Sequence, residues 1–363
     1  MVRHPDPDVP ARRGSGLRVG VLGVGYWGSK HLRVLGELAE VESAVAIDAR
    51  LASMPRLAPL IERGLGYTSL DEALPAIDAL VIATPPSSHH ELGLQAIAAG
   101  RHVLIEKPLA VSTDHAGQLV EAAKAAGVTL MVGHTFEHND AVKMLRELVQ
   151  GQELGELYYL DCARLNLGLY QPDVNVIHDL APHDVSIANF VLGRTPTSVD
   201  AWASRHVHAD FEDVAHLRLE YADLGVRVNI HVSWLHPHKV RQIVAVGAKK
   251  MAVFDDAVAE KIRIHDKSAL VSDGGRGRMA YHEGDVVSPH LGLREPLAVQ
   301  DQHFVDCVRR GLTPSTDGAS GLAVVSVLEA AQLSLQERRE VLLDEVGHPG
   351  AISAEERTAA IAV

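Results

Sequence analysis

Three short strings in this chain combine residue types that can carry chemistry. Lys107 stands between Glu106 and Pro108 at the end of an apolar run, HVLIEKP. An ammonium group at a strand end can polarise a bound oxygen or hold a proton donor in place. A lysine before proline also suits a solvent-facing turn. Asp179 and His183 stand four residues apart in DLAPH, so on a helical turn both side chains point to one side. A carboxylate beside an imidazole can fix its orientation and raise its basicity, as a general base near neutral pH requires. The same pair also serves as a satisfied helix cap.

The third string is Gly23-Val24-Gly25-Tyr26-Trp27-Gly28, which follows the apolar run LRVGVL and opens a helical stretch. A lone GxGxxG is weak evidence, but strand, turn and helix are the setting a dinucleotide needs. Gly23 permits the tight turn, Gly25 lets a pyrophosphate approach the backbone, and Gly28 allows the helix to pack closely on the strand. The helix N-terminus then offers free N–H groups to the phosphates, beside Tyr26 and Trp27. Asp48 ends the next strand-like run, about 20 residues further on, where a carboxylate accepts from ribose hydroxyls and repels a 2′-phosphate. That favours NAD. Arg50 keeps NADP open, because a guanidinium can meet the extra phosphate or stack on adenine, and it equally suits a plain surface position. Thr84, Pro85 and His89 follow another apolar run, where ligands of open α/β sheets bind, although Pro-Pro also makes an ordinary helix entry.

These residues need a frame. From Leu17, runs such as VESAVAID, DALVIAT, HVLIE and VTLMVGH alternate with helical stretches of about a dozen residues, which predicts βαβ units and a parallel sheet covered on both faces. After about Val149 the texture changes to strand-like runs with few helices. Turn signals at 223–225 and 247–250 predict antiparallel hairpins. Helical periodicity returns in VQDQHFVDCVRRG and GLAVVSVLEAAQLSLQ. The expected architecture is α/β: an N-terminal Rossmann dinucleotide-binding domain over 17–138, then an α/β domain with an open, mostly antiparallel sheet over 139–346. Residues 1–16 and 347–363 read as loose tails.

The chain has 363 residues, ample for two domains, and a formal charge of −13. That charge argues against a nucleic-acid partner, which needs a basic patch. No apolar run reads as a bilayer span or a signal peptide, so no membrane partner is expected. Cys162 and Cys307 are the only cysteines and have no redox or metal spacing, which fits a reducing cytoplasm. The histidines at 89–90, 134 and 138, 206 and 208, and 236 and 238 invite a metal reading. No HExxH or Cys/His framework accompanies them, so no metal is expected. Lys239, Arg241, Lys249 and Lys250 form a modest basic patch that suits either a diphosphate or a solvated strand edge.

Taken jointly, VGVLGVGYWG, IATPPSSHHELGLQAIAAGRHVLIEKPLA, NVIHDLAPHDVSIANFVLG and HFVDCVRRGLTPSTDGASGLAVVSVLEAA resemble the glucose-fructose oxidoreductase / inositol dehydrogenase / rhizopine-catabolism (Gfo/Idh/MocA) family over about Leu17 to Ser334. The resemblance implies an NAD-dependent oxidoreductase acting on a secondary alcohol or ketone of a sugar, nucleotide-linked or otherwise modified. Alternatives within it are a cyclitol dehydrogenase, an NADP-dependent ketosugar reductase and an NAD-retaining glycoside hydrolase. It implies Lys107 near the nicotinamide, Asp179 and His183 facing the reacting carbon with His183 as acid/base, and a homodimer or homotetramer formed through the C-terminal sheet. Arg164, Asn166, Tyr170 and Asn175, just before that segment, are candidates for substrate contacts and equally suit ordinary strand or loop roles. Thr135 stands where many members carry arginine, which leaves substrate orientation open.

Overall fold

The computed structural model describes residues 16–168, 170, 174–207, 209–271, 279–292 and 294–347. His208 and the anticipated tails, apart from Gly16 and Gly347, lie outside them.

Two sheets organise the chain. The first is parallel, in the order β3-β2-β1-β4-β5-β6, built from Leu17–Leu22 (β1), Val41–Ile47 (β2), Gly66–Tyr67 (β3), Ala79–Ile82 (β4), His102–Glu106 (β5) and Leu130–Gly133 (β6). Its strands are short and nearly all buried, as expected of a sheet covered on both faces. Helices Tyr26–Glu37 (α1), His89–Ala98 (α4) and Thr113–Ala126 (α5) make the crossovers, with the short Pro59–Glu62 (α2) and Leu70–Ala73 (α3) between β2 and β4. Strand order reverses between β1 and β4, so the turns after these strands open a crevice at their carboxyl ends.

Ser112 starts α5 by accepting from His115 N, and Gly127 ends it at φ 65°. A linking helix, Asp140–Gln150 (α6), leads to the second sheet, in the order β14-β13-β12-β11-β7-β10-β9-β8-β15. Its strands are Leu157–Leu167 (β7), Ser198–Ser204 (β8), Val214–Tyr221 (β9), Val226–Ser233 (β10), Leu235–Gly247 (β11), Met251–Asp255 (β12), Ile262–Val271 (β13), Met279–Val287 (β14) and Val341–Leu342 (β15). All its pairings are antiparallel except β7 with β10. Along β9 and β10 buried Val, Ile, Leu and Tyr alternate with exposed or half-exposed His, Arg and Asn, so one face packs and the other stays open.

Helix Val176–Leu192 (α7) covers the packed face, and Gly318–Glu337 (α9) lies beside it. Expectation and structure differ in three places. Strand β14, exposed along its length, was not anticipated, because its polar and acidic residues carry no alternating apolar signal. Helix Pro296–Arg310 (α8), placed by chain order with the second sheet, instead buries Phe304 and Val305 under the first sheet with Val19, Val21 and Leu35. Helix α9 is long and apolar enough to cross a membrane by length and composition, against the expectation that no run would be. Of its most apolar 18 residues 72% are buried, however, with Leu322 and Val325 in the first core and Val324, Val327 and Leu328 in the second, so it joins them.

Candidate active site

The crevice at the switch point is a cleft of about 900 Å³. Its phosphate end is shaped by what the glycine turn leaves out. Gly23 has φ 85°, and a Cβ there would lie 2.9 Å from Ala83 O. A Cβ on Gly28 would lie 2.0 Å from Gly23 O, so helix α1 rests directly on the turn. A Cβ on Gly25 would meet nothing within 4 Å, and Gly25 lines the cleft. Gly25 is the N-cap of α1 and supplies no side-chain cap, which leaves first-turn amides available to an anion. Tyr26 and Trp27 stand edge to face beside them with Lys30 Nζ over both rings.

Asp48 lies in the wall opposite. Its Oδ2 accepts from Val24 N at 3.1 Å and its Oδ1 from Arg50 N at 2.9 Å, so the carboxylate ties the glycine turn to the end of β2. The Arg50 side chain is largely exposed and 3.6 Å from Asp48. Thr84 and Pro85 form the next stretch of wall, where Ser88 Oγ donates to Thr84 Oγ1 at 2.7 Å. His89 does not line the cleft. It is buried behind the wall, with its ring nitrogens 2.8 Å from Pro108 O and 2.9 Å from Thr84 O, and so it braces the two strand-end loops. Gly28 likewise packs beneath the cleft and does not line it. An open Gly25, uncapped amides and a buried acid at the end of β2 fit the pyrophosphate and adenosine ribose of NAD.

At the other end Glu106, Lys107, Pro108, Val174, His178 and Asp179 close the cleft. The Lys107–Pro108 peptide is cis. Lys107 Nζ donates to Asp179 O at 2.6 Å and lies 3.5 Å from Asp179 Oδ1. Asp179 Oδ2 accepts from Trp234 Nε1 at 3.0 Å. Asp179 does not hold the imidazole of His183, which corrects the expectation from their spacing. Two other donors, an ammonium and an indole N–H, already occupy the carboxylate, and His183 Nδ1 is buried with no hydrogen-bond partner among the described residues. Phe136 meets the His183 ring edge to face at 5.1 Å. Burial, and then the positive charges of Lys107, Arg164, His134 and Arg241, push the proton affinity of His183 well below the ordinary histidine range. The ring is therefore neutral at pH 7 and close enough to Lys107 to feel its charge.

The four residues before this segment separate. Arg164 spends its guanidinium on Asp184, at 2.8 and 3.0 Å, over the Phe136 ring; a buried cation needs that partner, so it is not free to meet a ligand. Asn175 caps α7 through His178 N, and its amide donates to Glu212 and Gln332. Tyr170 stacks at a tilt on Trp234, one side chain away from Asp179. Asn166 lies on β7, near Gly168 and clear of the cleft. Thr135, at the arginine position, donates to Gln300 at 2.8 Å. Sequence reasoning missed Trp234, His178 and the Thr68–Leu70 loop that floors the cleft. It also missed His31 and Asp301 beneath Glu106. Only His31 had a local signal, as a polar residue on the buried face of α1. Among the described residues no group of three or more His, Cys, Asp or Glu side chains is placed to hold a metal ion.

A doubly-wound sheet with an anion-ready glycine turn, facing a lysine and an aspartate with a neutral imidazole set behind the cleft wall, defines a dinucleotide-dependent oxidoreductase. The chain belongs to the GFO/IDH/MocA family: residues 17–134 match its oxidoreductase domain, described as an NAD-binding Rossmann fold, and residues 142–253 match its C-terminal domain. It is 26% identical over 343 residues to the UDP-N-acetylglucosamine 3-dehydrogenase of Acidithiobacillus ferrooxidans, covering 88% of this chain and 97% of that protein. It is 25% identical over 349 residues to the myo-inositol 2-dehydrogenase of Thermotoga maritima, covering 91% and 99%. The crystal structure of GenD2 from gentamicin A biosynthesis, in complex with NAD, superposes with a TM-score of 0.76 at 27% identity, over 91% of this chain and 97% of that one.

Proposed function

We propose that this NAD-dependent oxidoreductase interconverts a secondary alcohol and a ketone on a sugar, nucleotide-linked or otherwise modified, with a cyclitol as the nearest alternative. The observation that carries the reading is the meeting of Lys107 and Asp179 at the far end of the dinucleotide cleft, with neutral His183 behind them. The substrates named for the Acidithiobacillus and Thermotoga relatives are both rings of secondary alcohols.

NAD bound along the glycine turn supplies the hydride acceptor. The chain's residues handle the rest. The Lys107 ammonium donates to the substrate oxygen and stabilises negative charge as it develops there. His183, neutral and lacking a partner at Nδ1, takes the hydroxyl proton in oxidation and returns it in reduction. Asp179 holds Lys107 in place, and Trp234 holds Asp179.

The test is a panel of nucleotide sugars, free sugars, ketosugars and inositols, read by nicotinamide absorbance with NAD and NADP. One sugar class with a clear preference for NAD is the expected result. In H183Q, turnover on that substrate falls by about 10²–10⁴-fold while NAD binding is retained. Aglycone release with no change in nicotinamide absorbance would replace this reading with the hydrolase.

We further infer a homodimer or homotetramer formed across the open face of the second sheet. Tyr159, Trp202 and Tyr281 stand exposed on its strands, an arrangement that interfaces favour. Light scattering of the purified chain tests it, and a monomer at micromolar concentration would refute it. The two cysteines, both unpaired and buried, suit a cytoplasmic protein. Domains over 17–138 and 139–346 remain our division of the chain, with α8 and the start of α9 packed back on the first.

A further inference from the structure

Beneath the cleft, three buried or nearly buried ionisable side chains from three separate elements meet. His31 of α1 lies between Glu106, at the end of β5, and Asp301 of α8. His31 Nε2 is 2.9 Å from Glu106 Oε1, and His31 Nδ1 is 2.9 and 3.0 Å from the two Asp301 oxygens. His31 and Asp301 are fully buried, and Glu106 is 8% exposed. A neutral imidazole has one N–H, so with carboxylates on both sides it would turn a lone pair toward one of them. With both acids ionised, the geometry calls for an imidazolium. The two carboxylates lift the proton affinity of His31 to about 10 even though burial, the largest influence, opposes it.

One cation between two anions leaves the cluster with a net charge of about −1. That charge faces the cleft. Glu106 lines it beside Lys107, and Glu106 Oε2 accepts from Lys107 N at 3.2 Å. Gly133 makes room, since a Cβ there would lie 3.1 Å from Glu106 Cδ. A buried ionic cluster is a poor way to stabilise a core, because apolar residues of equal volume do as well or better without the desolvation cost. Its position at the cleft end carries the functional argument.

We propose that the Glu106–His31–Asp301 cluster is a fixed anion that biases the bound dinucleotide toward its oxidised form, with Glu106 as the charge and His31 and Asp301 as positioning residues. The oxidised nicotinamide ring carries a positive charge that the reduced ring lacks. A negative group in a low-dielectric wall therefore favours oxidised over reduced cofactor. The inference rests on the reading that the nicotinamide end lies against Lys107.

The experiment compares dissociation constants of NAD+ and NADH, measured without substrate by calorimetry or tryptophan quenching, in wild type, E106Q and D301N. E106Q keeps an acceptor for His31 and removes the charge. D301N does the same from a residue that does not line the cleft. Both are expected to shift the NAD+/NADH affinity ratio toward NADH, by about tenfold for E106Q and less for D301N. Unchanged ratios in folded variants overturn the proposal, because a merely structural cluster would weaken both ligands alike. Should a variant fail to fold, ¹⁵N-histidine spectra of the wild type decide. An imidazolium must persist at about pH 8.5, two units above the ordinary histidine value, and its absence overturns the proposal as well. If the wild type bound neither dinucleotide, the failure would lie with the cleft assignment instead.

Discussion

Replacing Gly25 by alanine separates the two roles that the glycine turn plays. In the protein alone a Cβ at Gly25 meets nothing within 4 Å, and φ is −80°, so no left-handed backbone is forced on the new residue. The melting temperature of G25A without ligand should match the wild type, with a stability difference within about 0.5 kcal/mol. With ligand the outcome inverts, because the methyl group occupies the space through which a pyrophosphate reaches the first-turn amides. Losing one charge-assisted hydrogen bond costs about 1.5–3 kcal/mol, a rise of about 10–150-fold in Kd for NAD. The assay is a thermal melt with and without NAD, backed by titration of the Trp27 fluorescence beside the turn. NAD at 100 times its wild-type Kd stabilises the wild type by about 2.7 kcal/mol and should stabilise G25A far less. The contrast is G28A, whose Cβ would lie 2.0 Å from a backbone oxygen and which must lose stability without ligand. If G25A bound NAD like the wild type, the turn would not be the phosphate cradle and the reasoning from it would fail.

Two further outcomes follow from the same geometry. W234F removes the indole N–H that holds Asp179 Oδ2 at 3.0 Å, so steady-state kinetics should show kcat/KM lower by about tenfold with NAD affinity intact; unchanged kinetics would show that Trp234 only fills space. Stability should fall as pH drops below about 6.5, the ordinary histidine value. Burial first, and neighbouring positive charges second, lower His138 to about 3 and His231 to about 4, and hold His183 far down. A histidine with a depressed folded pKa contributes stability present above its unfolded pKa and lost below it, because the unfolded chain then binds the extra proton. His31, raised to about 10, has the opposite sign: its contribution is full below 6.5 and is lost as pH rises toward 10. Calorimetry should therefore give a lower melting temperature at pH 5 than at pH 7.5, and an equal or higher one would contradict the buried neutral histidines.

Much of the first sheet is legible in the sequence. LRVGVL, VESAVAI, ALVI and HVLIE are short buried runs bounded by turn residues, and each became a strand. The glycine turn was legible for the same reason, since it depends on residues within six positions of one another. Strand β3 was not, because two residues carry no periodicity. The site was legible as residue types and only partly as contacts. Spacing put Asp179 and His183 on one side of a helix, but it could not say that Lys107 and Trp234 would take the carboxylate first. Arg164 and Asn175 looked available to a ligand until Asp184 and the start of α7 claimed their polar atoms.

The sequence alone determined the alternation of strands and helices in the first domain, the turn that can receive a dinucleotide, and three side chains of types able to move a proton. Each is written over a few neighbouring residues, where steric limits and side-chain periodicity act directly. Tertiary structure decided which groups meet: α8 folding back beneath the first sheet, α9 joining two cores, and His31 reaching Asp301 across 270 positions of chain. Those meetings come from burying apolar faces, which specifies that a helix must pack but leaves its partner to the fold as a whole.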